Sequence, residues 1–437
     1  MEITSSPERK ALREIFEAAV DAANPYSRVR EHGDPIKKSL LKGEYKSLIV
    51  VGFGKASVLM ARAAEEELGE FLREGAVITK YGHTREKLKK VRLFEAGHPI
   101  PDENGVKGTA KIIELIEKEK SPDTLILCLI SGGGSSLFVS PYKGITLEEK
   151  QKTTVLLLRS GASIDEINAV RKHISQVKGG RLAELAYPAG IISLILSDVV
   201  GDRLDVIASG PTAPDGTTYK DALSVLKKYQ LMEKAPRRVL SLLNEGVRGE
   251  HSETPKRESP VFQRVQNIIV GNNLMALEAA RRQAFKMGFD AEVISSEITG
   301  EAREIGKELA VKGKELKKEK RKKPLCLISG GETTVNVKGK GLGGRNMELA
   351  LSFAIEIAGT GGIALLSAAT DGTDGPTDSA GAFADGKSAI KGKEKGLEAD
   401  DFLQRNDSYA FFTRTGDIFI TGPTGTNVMD IQLLLIK

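Results

Sequence analysis

The hexapeptide Cys-Leu-Ile-Ser-Gly-Gly occurs at residues 128–133 and again at residues 326–331, each time closing an apolar run of strand length, 125–130 and 325–328. The first copy continues as Gly134-Ser135-Ser136 and the second as Glu332-Thr333-Thr334. A buried strand that breaks into Ser-Gly-Gly, with hydroxyls behind it, aims bare backbone N–H groups outward and favours an anion. Glycine lets the backbone turn sharply and approach a ligand with no Cβ in the way. Either copy alone reads equally well as an ordinary turn of a Gly-rich α/β chain. Their recurrence predicts two α/β units, each presenting an anion-binding turn.

A chain of 437 residues has room for two such domains. The polar stretch 250–260, with Pro255 and Pro260, reads as the linker and divides the chain into domains 1–250 and 261–437. Cys128 and Cys326 are the only cysteines, and both lie inside strand candidates. That predicts buried free thiols in a reducing compartment. The N-terminal charges, Glu2 and Glu8 among them, read as a helix start and not a secretory signal, and no apolar run approaches the ~18 residues of a membrane helix. A cytoplasmic soluble protein is expected. The basic stretch 312–323 carries Glu315 and Glu319 at helical spacing and no aromatic residue, so it reads as a solvated helix end and not as a nucleic-acid surface.

Helix and strand signals alternate throughout, which predicts an α/β fold with mainly parallel sheets, Rossmann-like in the N-terminal domain. Ser163 and Glu166 form a capping box. Residues 207–218 are irregular, and the tail, 418–421 and 428–436, reads as a closing antiparallel pair.

Four places could carry chemistry. Gly52-Phe53-Gly54-Lys55-Ala56-Ser57 joins a strand to a helix. It fails the nicotinamide fingerprint at Ser57, and fails the phosphate-loop motif at Ile49 and Ala56. What survives is Lys55 at a helix start, where positive potential collects. Asp198 and Asp202 follow one strand, and Asp371 and Asp374 follow another. Carboxylates at strand ends suit Mg²⁺, although Asp beside Gly also serves turn geometry. Gly343-Gly344-Arg345-Asn346 opens a helix, and Arg345 there can grip a carboxylate or phosphate. His98 and His173 read as structural before they read as ligands. No His or Cys pair has zinc spacing, and no GxSxG elbow surrounds Ser135 or Ser136.

Taken together, residues 51–57, 97–101, 131–136, 168–173, 197–202, 209–212, 343–346, 370–375 and 422–427 resemble the glycerate 2-kinases that carry a C-terminal MOFRL domain. The resemblance spans nearly the whole chain and places the MOFRL-like region at about 325–437. It implies transfer of a phosphoryl group from ATP, with Mg²⁺ or another divalent cation, to the 2-hydroxyl of D-glycerate. The active site would lie in the cleft between the domains. Lys55 and Arg345 match the family's catalytic or substrate-binding lysine and arginine. On this reading Asp198 is catalytic and, with Asp371, metal-binding. Ser131, Gly132, Gly133, Gly134, Ser135, Ser136, Gly330 and Gly331 would hold nucleotide phosphates. Small-molecule substrates are expected, with no nucleic-acid or membrane partner, and a homodimer stays open. Some relatives have been labelled hydroxypyruvate reductases, so an NAD(P)H-dependent reductase is the alternative. A non-catalytic anion-binding module is a third reading, and it leaves the strand-end acids unexplained.

Overall fold

Apolar runs separated by amphipathic helices form two sheets in the computed structural model, which describes residues 6–83 and 87–437. Glu2, with the rest of residues 1–5, lies outside the described residues. The chain divides into two units, Pro25–Val270 and Met1–Asn24 with Gly271–Lys437.

The Pro25–Val270 unit is built on β1 (Ser47–Phe53), β2 (Leu72–Lys80), β3 (Val91–Ala96), β4 (Thr124–Ile130), β5 (Gly190–Leu196) and β6 (Val265–Gly271), in the order β3-β2-β1-β4-β5-β6. β1 pairs in parallel with β2 and β4, β2 with β3, and β4 with β5. Every residue of β4 is buried, as a strand covered on both faces requires. The chain runs outward from β1 to β3 and returns to lay β4 on the other side of β1. The carboxyl ends of β1 and β4 therefore flank a topological switch point, where open α/β sheets bind ligands. The helices Leu147–Arg159, Ile164–His173, Tyr219–Lys228 and Arg237–Val247 share a second core around Leu157, Val170, Tyr219 and Leu243. The capping box holds: Ser163 Oγ accepts from Glu166 N at 3.4 Å, and a Glu166 carboxylate oxygen accepts from Ser163 N at 2.9 Å.

The other unit carries β7 (Asp290–Ile298), β8 (Leu325–Gly331), β9 (Ile363–Ala369), β10 (Gly381–Asp385), β11 (Ile418–Phe419) and β12 (Asp430–Ile436), in the order β11-β10-β9-β12-β8-β7. Only β7 and β8 pair in parallel; the other four pairings are antiparallel. The expectation of mainly parallel sheets therefore holds for the first unit alone. β11 and β12 do not pair with each other, as a closing hairpin would. β12 lies between β9 and β8 with all seven residues buried.

Two other expectations change. The helix Pro7–Ala22 belongs with the later residues and not with a 1–250 domain, because its apolar stripe of Leu12, Ile15, Phe16 and Ala19 has its core there. Phe16 meets the Phe419 ring edge-on at 5.3 Å, and Thr426 Oγ1 donates to Ala23 O at 2.6 Å. Residues 250–260 are no linker but are bound into the Pro25–Val270 unit. Asp215 N donates to Pro255 O at 3.1 Å, and Thr254 Oγ1 donates to Asp215 Oδ2 at 2.9 Å. The basic stretch is a helix end, Ala302–Leu316, followed by exposed residues 317–323. Both cysteines are buried free thiols, and burial pushes each up to about 12. Among the described residues no helix is long and apolar enough to cross a membrane.

Candidate active site

The connections that leave the carboxyl ends of β1, β3, β4 and β5 meet at the first Ser-Gly-Gly turn. β1 runs into Gly54, whose φ of 127° is closed to residues with a Cβ, and a Cβ there would collide with Ser131. Lys55 N donates to Gly132 O at 2.9 Å and Ala56 N donates to Ser131 Oγ at 3.0 Å, which ties the two turns together. Ser57, the residue that breaks the nicotinamide fingerprint, is fully buried, with its Oγ 2.8 Å from Gly54 O and 3.0 Å from Ile78 O. It closes the turn and leaves the Lys55 side chain beside Gly133: a Cβ on Gly133 would stand 3.4 Å from Lys55 Cγ.

The same turn is approached from two other strands. The Asp198 carboxylate, just past β5, occupies the space where Gly132 has no side chain; a Cβ on Gly132 would collide with Asp198 Oδ2. His98, just past β3, lies where a Cβ on Gly133 would be 2.9 Å from its Cδ2. Burial and then Lys55 pull the His98 imidazole down to about 4, so it is neutral near pH 7 and keeps an acceptor nitrogen. Beyond the turn, Ser136 N donates to Gly133 O at 3.1 Å, and Ser135 Oγ lies 2.8 Å from Ser209 Oγ, which in turn donates to Asn168 Oδ1 at 3.0 Å. His173 is a structural histidine. It is fully buried, with Nδ1 2.7 Å from Ala169 O and Nε2 3.0 Å from Glu253 Oε2.

The second copy has a different outcome. β8 continues through Gly331, so Ser329, Gly330 and Gly331 are strand and not the expected turn. Gly330 pairs with Ile431, and Gly331 pairs with Asp430 on one side and Ile298 on the other. The glycines serve close packing here: a Cβ on Gly330 would collide with Asn273, and one on Gly331 with the Ile298 backbone. Arg345 opens the helix Arg345–Glu356 and is held by acids: Nε to Asp430 Oδ2 at 2.6 Å, Nη2 to Asp430 Oδ1 at 3.0 Å, and Nη1 to Glu332 Oε1 at 2.6 Å. Its fork grips Asp430 bidentately, which raises its pKa further despite burial. Asp374 accepts from Met347 N at 2.8 Å and Asn346 N at 3.1 Å at the start of that helix. Burial, with Asp430 also contributing, pushes Asp374 up to about 7 although those N–H groups favour the carboxylate. Asp371 Oδ1 accepts from Thr373 N at 3.0 Å in a local turn. Among the described residues no group of three or more His, Cys, Asp or Glu side chains is arranged to hold a metal ion.

Residues 11–244 match the family model described as a domain of unknown function, DUF4147, and residues 325–430 match the MOFRL family. A D-glycerate 2-kinase of Thermotoga maritima is 48% identical over 432 residues, 98% of each chain. The chain belongs to the MOFRL-type glycerate kinase family. The crystal structure of a glycerate kinase from Thermotoga maritima matches the fold with a TM-score of 0.87 at 47% identity, over 98% of this chain and 99% of that one. A chain of Agrobacterium vitis named only provisionally as a hydroxypyruvate reductase is 40% identical, over 98% of this chain and 94% of its own length.

Within this glycerate kinase fold, one unit brings together Lys55, Asp198 and the 131–136 turn. The other unit holds Arg345, Gly330, Gly331 and Asp371. Motif and spacing alone give Lys178, Arg171, Asn168 and Ser209 no role. Two signals pointed to them: residues 168–173 and 209–212 were among the resembling motifs, and Lys178 precedes Gly179-Gly180.

Proposed function

We propose that this chain transfers the γ-phosphoryl group of ATP to the 2-hydroxyl of D-glycerate, giving ADP and 2-phosphoglycerate. The observation that carries the proposal is the meeting of Lys55, Asp198 and His98 on one glycine turn at the switch point of a parallel sheet. Phosphoryl transfer needs positioning and charge neutralisation more than covalent help from the protein. The hydroxyl oxygen forms the new P–O bond, the bond from the γ-phosphorus to the bridging oxygen breaks so that ADP departs with that oxygen, and the hydroxyl proton is released to water. Lys55 stabilises charge on the transferring group. His98, kept neutral, accepts the hydrogen bond of the attacking hydroxyl. The 131–136 turn supports the phosphates. The choice of the 2-hydroxyl follows the named relatives.

Asp198 fits a Mg²⁺ site of the kind that uses one or two carboxylates and takes its remaining ligands from water and phosphate, because its carboxylate lies on the glycine turn itself. The cation would neutralise phosphate charge. Asp371, with one oxygen already used in its turn, is the candidate in the other unit. Arg345 would meet substrate charge through Nη1, whose partner Glu332 is 45% exposed and displaceable, while its other nitrogens keep Asp430. A cytoplasmic location fits the two buried free thiols. No feature of the 52–57 turn favours the reductase reading. ADP release with D-glycerate and Mg²⁺, assayed beside NADH oxidation with hydroxypyruvate, tests the proposal: the first reaction is expected to proceed and the second not. NADH turnover without ATP would overturn it.

A further inference from the structure

In the Pro25–Val270 unit two buried lysines and one half-buried arginine have no matching acid. Lys178 is 1% exposed, and its Nζ has one bond, to Ala208 O at 3.4 Å, although an ammonium has three donors. Lys150 is 4% exposed, and its Nζ bonds only to carbonyls, Ile174 O at 3.2 Å and Arg171 O at 3.4 Å. Arg171 lies one helical turn beyond Asn168, on the same face of the helix Ile164–His173. Among the described residues no carboxylate pairs with any of the three. Lys172, between them in sequence, shows what a structural cation looks like here: it is buried and sits 3.1 Å from Asp215 Oδ1.

Lys178 lies beside the hydroxyls behind the glycine turn, and Lys150 and Arg171 are near enough to act on its charge. Lys178 bonds the residue preceding Ser209, and Ser209 Oγ touches both Ser135 Oγ and Asn168 Oδ1. Gly179 N and Gly180 N donate to Ser209 O at 3.0 Å and Gly210 O at 2.7 Å, fastening the two segments together. Ala208 and Ser209 are both held at positive φ, 51° and 62°, a strain that proteins keep mostly at functional sites. A Cβ on Gly134 would stand 2.8 Å from Ala208 Cβ, so the strained loop packs directly under the turn. Burial, reinforced by Lys150 and Arg171, holds the Lys178 ammonium well below its ordinary range. A buried amine with no acid partner is costly to charge, and the negative charge of an arriving ligand would favour its protonated form.

We propose that Lys178, Arg171 and Lys150, with the hydroxyls of Ser135 and Ser209, form a binding site for a dianionic phosphoryl group next to the 131–136 turn. The site extends the phosphate role proposed for that turn and rests on that reading. Three cations suit a phosphoryl dianion better than a carboxylate monoanion, and the hydroxyls supply neutral donors for its remaining oxygens.

The test uses the full chain without turnover: inorganic phosphate binding by calorimetry, and thermal unfolding with and without phosphate. The expected result is that phosphate binds and stabilises the wild type. Lys178→Met should weaken binding about 10- to 100-fold, the range for losing one charge-assisted hydrogen bond. Without phosphate it should melt at or above the wild-type temperature, since an apolar isostere removes a buried amine that has a single hydrogen-bond partner. Arg171→Gln should weaken phosphate binding in the same range, which keeps the test alive should Lys178→Met fold poorly. Competition by ADP would assign the phosphoryl group to the nucleotide; competition by 2-phosphoglycerate would assign it to the product. Phosphate binding unchanged in both variants, or absent from the wild type, overturns the site. Lys178-dependent phosphate binding in a chain that releases no ADP would leave the site standing while the kinase reading fails.

Discussion

At residues 128–133 the hexapeptide leaves its strand after Ile130 and becomes a turn, whereas at residues 326–331 it stays in β8 to the last glycine. The difference lies in the neighbours. β1 and β5 flank β4 in parallel and pair no further than Ile130, so the chain beyond has no ladder to continue. β8 has β12 running antiparallel beside it, and β12 begins at Asp430, directly opposite Gly331. Identical local sequence is thus overridden by tertiary pairing. The charges diverge in step. Around the turn the cations outnumber the acids they pair with, as a site for phosphate needs. Around the strand Arg345 is matched by Asp430 and Glu332.

The comparison makes its largest demand at Lys55. Lys55→Ala should lower kcat/KM on the order of 10²–10³, as for one preorganised electrostatic donor, with thermal stability unchanged. Wild-type kinetics would reduce Lys55 to a surface residue. Arg345→Lys, in contrast, should impair both activity and stability. A lysine keeps the charge but cannot hold the buried Asp430 carboxylate with a fork, a loss of about 1.5–3 kcal/mol in denaturant unfolding. Unfolding at the wild-type denaturant concentration would break the contrast between the two regions.

The acids should differ more gently. Asp198→Asn is expected to raise the Mg²⁺ concentration needed for half-maximal ADP release, and Asp371→Asn to do so less, since one oxygen of Asp371 serves its turn. Equal metal dependence in both variants and wild type would leave both acids as turn formers.

The smallest effects concern pH and have opposite signs. Burial and Asp430 raise Asp374 to about 7 from the ordinary aspartate value of 3.8, so between these values the folded chain holds a proton that the unfolded chain has lost. That contribution to stability is full below about 4 and is lost as pH rises through 7. Burial lowers Lys150 to about 7 from 10.5, so there the unfolded chain binds the extra proton and stability grows with pH across that window. Thermal unfolding against pH checks both. Asp374→Asn should flatten the first slope and Lys150→Met the second, by shifts on the order of 2–4 °C. Slopes identical to wild type would show that neither group titrates as assigned.

Much of this was legible in the chain. The parallel sheet followed from fully apolar runs separated by helical periodicity, and Ser163 with Glu166 marked a helix start. Lys55 stood out because Gly54 precedes it. The place of β12 was not legible: an apolar run can close a hairpin or fill a sheet's centre, and only its burial on both faces decides. Residues 250–260 look like a linker by composition because their partners, Asp215 and His173, are distant in sequence. Lys178 was hidden for a similar reason. A buried lysine reads like any other until its lack of an acid is visible.

The claim that only the first copy works on phosphate is tested most directly by one pair of substitutions, Gly132→Ala and Gly330→Ala, compared for binding of a non-hydrolysable ATP analogue and for thermal stability. A Cβ at Gly132 displaces the Asp198 carboxylate, while a Cβ at Gly330 displaces Asn273, whose Nδ2 donates to Val428 O at 2.8 Å and Asp430 O at 3.0 Å. The account predicts weakened analogue binding with near wild-type melting for Gly132→Ala. For Gly330→Ala it predicts wild-type binding with stability lower by about 1–3 kcal/mol. Loss of analogue binding in Gly330→Ala but not in Gly132→Ala would contradict it.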